Sequence, residues 1–232
     1  MRSSHAEKFN HDDVAPDYDA DVANEGNPIR AGYSALLDWV VAEAAVGPGK
    51  SVLELGTGTG NLSLRLGDWG RLVCVDVSGE MLKLAKDKLA DRANVDYIVA
   101  DLLECFDSLE ESFDIVVSTY AIHHLTAGEK SALFAATGRV LRPAGIAVFG
   151  DLMFEDSSHY ERYLAELRAA GQIELADEIA DEFFWDLSCV QEQLEAAGFG
   201  VKAERFSELS FGVSATMTPT LGATRSSRSS AS

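Results

Sequence analysis

Three glycines, Gly56, Gly58 and Gly60, stand within the segment VLELGTGTGNLSLRL at 52–66. An apolar run leads straight into them, so a buried strand is expected to break into a tight turn. Glycine lets the main chain turn sharply and lets a ligand touch backbone, here beside Thr57. A helix expected to begin over 61–66 would offer unpaired N–H groups beyond the turn. Asp76 follows 20 residues after Gly56, at the end of a second apolar run, RLVCVDV. A carboxylate there can accept both hydroxyl hydrogens of an adenosine ribose. Its plainer alternative is to cap a helix beginning near Ser78, and the upstream glycines favour the ribose. A further pair, His123 and His124, follows the run FDIVVST at 113–119. Histidine titrates near neutrality and can take a proton from an attacking hydroxyl, amine or thiol. Adjacent residues on a turn point apart, so at most one is expected to face a substrate, and a structural histidine bonded to backbone is the alternative. Asp151 and His159 are the conceivable partners for a metal, but their spacing specifies no site, and no metal is expected.

The elements that must hold these residues alternate. Leu36, Leu37, Val40, Val41 and Ala44 share one helical face, and Gly47-Pro48-Gly49 ends that helix. Strands are expected at 51–55, 71–77, 95–100, 113–119 and from Ile146 to Asp151. Helices are expected at about 78–92, with Ser78 as N-cap, and at about 127–141. Continuous apolar strands alternating with helices mean a doubly wound α/β domain, its sheet mainly parallel and covered on both faces. A helical stretch at 152–197 interrupts the sheet as a cap. Its Met153, Phe154, Tyr160, Tyr163, Phe183, Phe184 and Trp185 form either core or the roof of a substrate pocket. GVKAERF and ELSFGVS are close enough to pair as a hairpin. Residues 214–232 are expected to be a disordered tail.

Composition excludes other classes. The 232 residues suffice for one well-buried domain. The net charge of −19, with only 19 scattered Lys and Arg, disfavours nucleic acid as a partner. No apolar run approaches the roughly 20 residues of a membrane helix, and the N-terminus lacks a signal core, so a cytoplasmic protein with no membrane partner is expected. Three unpatterned cysteines, Cys74, Cys105 and Cys189, specify neither disulfides nor a zinc cluster.

The glycines and Asp76 imply an adenosine cofactor. A dinucleotide pattern wants glycine or alanine at position 61, where this chain has Asn61, and it serves a pyrophosphate that S-adenosylmethionine lacks. The strings ELGTGTG, VDVS, VADLLE, STYAIHHL and LRPAG resemble, in order and spacing, the class I S-adenosylmethionine-dependent methyltransferases. Across about residues 9 to 213 the chain is similar to the YrrT-like bacterial branch, through FNHDDVAPDYDADV, STYAIHHLTAGEK and GDLMFEDSSHY. That resemblance implies a seven-stranded Rossmann-like sheet with its last strand antiparallel, and a domain at 31–213 behind an N-terminal segment, 1–30, covering the cofactor. It implies that Gly56, Gly58 and Gly60 line the methionine part, Asp76 holds the ribose and Val77 contacts the adenine. Asp101 would accept from the adenine amino group, with Leu102 packed nearby, or else cap the turn at Leu102 and Leu103. Ser118 and Thr119 would border the sulfonium, and Tyr18 would close over the methionine end. Glu54 would reach the cofactor amino group or bond local backbone. The implied function is direct, in-line methyl transfer to a small-molecule acceptor. Two rivals stay open: a nicotinamide-dependent oxidoreductase, and a non-catalytic protein that binds S-adenosylmethionine or S-adenosylhomocysteine.

Overall fold

The computed structural model describes residues 2–3, 10, 12–13 and 15–218. The sheet is built from β1 (Ser51–Leu55), β2 (Arg71–Asp76), β3 (Val95–Val99), β4 (Phe113–Thr119), β5 (Leu141–Phe154), β6 (Trp185–Asp186), β7 (Phe199–Arg205) and β8 (Ser210–Met217). Its main path runs β3-β2-β1-β4-β5-β8-β7, with the two-residue β6 paired to β5 off that path. Every pairing is parallel except those of β8, which runs antiparallel to both β5 and β7. The expected sheet is therefore present, with β6 added. Strand order reverses between β1 and β4, and ligands in such sheets bind beyond the carboxyl ends at that point.

Strand side chains alternate between two cores, as a period of two requires. Val52, Leu72, Cys74, Ile115 and Val117 face one; Leu53, Leu55, Val73, Val75, Phe113 and Val116 face the other. The first core is closed by α2 (Tyr33–Ala44) through Leu36, Leu37 and Val40, and by α3 (Gly79–Lys88) through Leu82. The second is closed by Leu133 and Phe134 of α4 (Ala127–Val140) and Val190 and Leu194 of α7 (Leu187–Ala196). Helix starts are fixed locally. The Ser78 hydroxyl accepts Met81 N–H at the head of α3, and Thr126 and Glu129 form a reciprocal capping box on α4.

Several boundaries differ from expectation. No α-helix forms over 61–66, where a 3₁₀ turn, Ser63–Arg65, gives way to extended backbone at Leu66. Residues 152–154 belong to β5, not to the cap. The stretch beyond holds α5 (Ser157–Ala169) and α6 (Ile173–Ala180), which pack on one another, whereas α7 lies on the sheet. Residues 214–217 complete β8 and its hairpin with β7, since the strand lies between β5 and β7 and is buried without a break from Ser210 to Ala215. The rest of the expected tail, 219–232, lies outside the described residues. A short helix, α1 (Tyr18–Val22), is tied to the turn after β1 through Asp19.

Candidate functional site

The turn after β1 is clamped by its own main chain. Gly56 and Thr57 both donate N–H to the Val75 carbonyl, at 2.8 and 3.0 Å. Gly56 sits at φ +70°, and a Cβ there would lie 2.2 Å from the Ala121 Cβ. Only glycine fits, because the loop after β4 passes directly over it. Gly58 N–H then donates to Asp76 Oδ2 at 2.8 Å and Ser78 N–H to Oδ1 at 2.9 Å. Burial pushes the Asp76 carboxyl up, and the N–H groups of Ser78, Gly58 and Val77 oppose it. Each oxygen takes one of the two short main-chain hydrogen bonds, and a carboxylate oxygen can accept more than one. Asp101 Oδ1 accepts from Leu103 N–H at 2.9 Å, Glu104 N–H at 3.2 Å and Ser3 N–H at 3.1 Å. Asp101 thus does cap the turn that follows it, through one oxygen.

These groups line a cleft of about 830 Å³, its open mouth included. Of the residues anticipated for a cofactor, Tyr18, Gly56, Thr57, Gly58, Asp76, Val77, Asp101, Leu102 and Thr119 form its wall. Glu54, Gly60 and Ser118 do not. Glu54 points into the first core, where its carboxylate accepts from the Ser63 hydroxyl and lies 3.8 Å from Cys74 Sγ. Burial raises its pKa to about 7. Gly60, at φ +84°, is pressed against Ala85 of α3, where an added Cβ would meet the Ala85 Cβ at 3.1 Å. The Ser118 hydroxyl is turned inward to the Leu55 carbonyl at 2.7 Å.

Sequence reasoning missed much of the remaining wall. Thr59 and Asn61 bind the Asp19 carboxylate of α1 at 2.6 and 3.0 Å, and Lys88 reaches its other oxygen at 2.6 Å. Asn61, placed where a dinucleotide site has glycine, thereby ties α1 to the glycine turn and also reaches the Tyr33 hydroxyl at 3.2 Å. The polar residues between and after the glycines were the available signal. Tyr120 is held at φ +50° with its ring 5.1 Å from that of Tyr33. A non-glycine residue in that region on a cleft wall marks strain kept at a site.

A second cavity, about 540 Å³ with its open mouth included, adjoins the cleft and shares Tyr18, Tyr120 and His124 with it. The two histidines lie on the 3₁₀ turn Ile122–His124, and both reach this cavity, their rings 4.0 Å apart. The tight turn leaves the two rings tilted by 50°, and of the two only His124 also borders the cleft. His123 is bound through Nδ1 to Asp151 Oδ1 at 2.5 Å, and Asp151 Oδ2 accepts the N–H groups of Ile122 and His123 at 2.9 and 3.0 Å. His124 Nδ1 meets Glu182 Oε2 at 3.0 Å. Glu182 lies 58 residues further along the chain, on the segment after α6. His159 is elsewhere, bound to Glu208 at 2.9 Å. Lys130, buried, donates to the Leu125 carbonyl and to the Phe183 carbonyl at 2.6 Å. Burial pushes its ammonium down to about 8. Among the aromatics of the 152–197 stretch, Phe184 lines the second cavity. Trp185 is core, 5.5 Å from Phe134 and 6.1 Å from Phe149. Met153 and Phe154 are also buried.

Among the described residues no helix is long and apolar enough to cross a membrane. Residues 52–145 match the family model of a methyltransferase domain. The chain is 35% identical to an uncharacterized methyltransferase of Geobacillus kaustophilus over 189 residues, covering 80% of this chain and 85% of that protein. It is 36% identical to the uncharacterized methyltransferase YrrT of Bacillus subtilis over 172 residues, covering 74% of this chain and 78% of that protein. Among solved structures it resembles the magnesium protoporphyrin IX methyltransferase of Synechocystis with bound S-adenosylhomocysteine, at TM-score 0.64 and 16% identity over 90% of this chain and 96% of that one. The N-methyltransferase NodS of Bradyrhizobium japonicum, also with S-adenosylhomocysteine, gives a TM-score of 0.60 and 16% identity over 83% and 89%. With the S-adenosylmethionine-dependent methyltransferase fold and relatives of this identity over most of their length, the chain is an enzyme of the methyltransferase family that includes YrrT.

Proposed function

We propose that this methyltransferase binds S-adenosylmethionine in the cleft and passes its methyl group to a small molecule held in the second cavity. The observation that carries the reading is the shared wall. Tyr18, Tyr120 and His124 face both spaces, so a donor filling one meets an acceptor filling the other at that boundary. The Gly56-Thr57-Gly58 main chain lies along the methionine part. The Asp76 carboxylate takes the two ribose hydroxyls, one on the remaining capacity of each oxygen. Val77 and Leu102 flank the adenine, and Asp101 Oδ2, the oxygen not used in capping, accepts from its amino group. Thr119 borders the sulfonium, and Tyr18 closes the methionine end. Glu54, Gly60 and Ser118 hold the turn from behind.

The sulfonium is already activated, so the protein mainly aligns the reactants and excludes water. The acceptor heteroatom attacks the methyl carbon, the carbon–sulfur bond breaks with its electron pair on sulfur, and a neutral thioether leaves. The acceptor loses its proton at the corner held by His123, His124 and Glu182, from which the proton passes to solvent. The second cavity's mixed lining, Tyr18, Tyr120 and Phe184 beside His123, His124 and Glu182, suits a small acceptor with one polar group. The net charge of −19 opposes a polyphosphate backbone.

Calorimetric titration with S-adenosylmethionine, S-adenosylhomocysteine and NAD tests the cofactor. Binding of the first two and not of NAD is expected. NAD binding alone would overturn the reading and make the chain a nicotinamide protein. A screen over thiols, amines, phenols and carboxylates then tests transfer; tight cofactor binding with no acceptor methylated would favour a sensor that no longer transfers.

A further inference from the structure

We propose that His123, His124 and Glu182 form a site for one divalent transition-metal ion on the wall of the second cavity. One ligand atom from each lies within 4.8 Å of the other two, a spacing a single ion can bridge. Two imidazoles and one carboxylate suit zinc, iron or cobalt, whereas magnesium and calcium prefer all-oxygen sites. Three protein ligands leave positions open toward the cavity, as in catalytic sites.

Three features show that the corner is built and not fortuitous. Asp151 fixes His123 through Nδ1, which turns Nε2 outward, and Asp151 is itself held by two backbone N–H groups and buried. A carboxylate behind a ligating imidazole is the usual support of a metal histidine. The two chain segments that carry the ligands are also stitched together. Phe183 N–H donates to the His123 carbonyl at 3.1 Å, and Lys130 spans the carbonyls of Leu125 and Phe183. Finally, the Phe184 ring meets the His123 ring edge-on at 5.9 Å and limits its rotation.

The ion would sit beside His124, the histidine that also borders the cofactor cleft. Its role in transfer rests on the function proposed above. An acceptor thiol or hydroxyl binding an open position loses its proton to solvent more readily, and the resulting anion faces the methyl carbon. The donor set carries one negative charge when both imidazoles are neutral, so a divalent ion keeps a positive charge to hold that anion.

Untagged full-length protein, stripped with chelator and dialysed, would be titrated with Co²⁺ and separately with Zn²⁺. The expected result is one equivalent of Co²⁺ per chain with an intense visible d–d band, displaced by Zn²⁺. Glu182→Gln should weaken Co²⁺ binding by at least about 10-fold, and Asp151→Asn, acting through His123, by about 10- to 100-fold. Glu182 does not line the cofactor cleft, so S-adenosylhomocysteine affinity of Glu182→Gln should stay within twofold, which also shows that the variant is folded. Absence of the band, or Co²⁺ binding equal in wild type and Glu182→Gln, would overturn the site. If that happens with S-adenosylhomocysteine binding intact, the metal fails and the methyltransferase reading stands. Loss of cofactor binding by the wild type, with the band present, has the opposite meaning.

Discussion

The cofactor cleft and the acceptor cavity share a wall but are made differently. The cleft is main chain held by neighbouring strands: Gly56 and Thr57 N–H on Val75, Gly58 and Ser78 N–H on Asp76. The clamped turn and the carboxylate it holds come from residues within about two dozen positions of one another, 56 to 78. The acceptor corner is side chains brought from three distant segments, 122–125, 151 and 182–184, the first and last joined by a buried ammonium. A site of the first kind can persist while the second kind changes, which is how one cofactor fold serves many acceptors.

Gly56→Ala should give the largest effect. The new Cβ meets Ala121 at 2.2 Å and stands in left-handed backbone. Left-handed backbone costs about 1–2 kcal/mol and overpacking about 1–3 kcal/mol. Calorimetry should show S-adenosylhomocysteine affinity lost by over about 100-fold, or by several kcal/mol. Adding Ala121→Gly removes the clash but not the backbone cost, so it should recover part of the loss. Unaltered binding in Gly56→Ala would mean that the main chain of this turn does not define the cleft.

Glu54 supplies the next effect, from beneath β1. Its folded pKa, about 7, lies above the ordinary 4.5, so the folded state holds the proton more tightly than the unfolded state. This contribution to stability is complete below pH 4.5, falls as pH rises toward 7 and then levels. The whole change is on the order of 3 kcal/mol. Urea unfolding at pH 5 and pH 8 should show it in the wild type, and Glu54→Gln should flatten it. Equal pH slopes in both proteins would remove Glu54 as the cause.

The same contrast explains what could be read from sequence. β1 and β4 fall on the expected residues because continuous apolar runs end at sharp turn signals. Asp76 and the glycine turn were legible because their spacing is local. The helix expected at 61–66 was not, since its residues pack under α2 and Leu66 is already extended. Ser118 shares β4 with Thr119, and Glu54 stands two residues before Gly56, but both turn inward, and only the sheet's neighbours decide that. Gly60 serves the approach of α3, which looks in sequence like a ligand glycine. Glu182, Asp151 and Lys130 carry no pattern linking them to His123 and His124, because their association depends on where α6 ends relative to β5. Trp185 follows Phe184 directly, yet pairing of β6 with β5 sends one ring to the core and leaves the other at the cavity.

Asp76→Ala comes next in size. Removing the carboxylate should weaken S-adenosylhomocysteine binding by about 1–3 kcal/mol, the cost of losing hydrogen bonds to a charged group. It also frees Gly58 and Ser78 N–H, so Asp76→Asn, which keeps acceptors, should lose less. Unchanged affinity in Asp76→Ala would sink the ribose assignment.

Lys130→Met should be the mildest, and it tests whether the two regions are separable. The ammonium is buried and spans the carbonyls of Leu125 and Phe183. Removing it leaves both carbonyls without that donor, at about 1–3 kcal/mol for each, but it also relieves the cost of burying a charge. A net loss of about 1 kcal/mol follows, or a Tm lower by about 2–4 °C. Cofactor affinity should stay within twofold, because Lys130 touches nothing on the cleft wall except through Leu125. Co²⁺ affinity should fall, because the segments carrying His124 and Glu182 lose their shared anchor. If cofactor affinity instead fell as far as in Asp76→Ala, the cleft would depend on the cap network, and the contrast between a main-chain site and a side-chain site would fail.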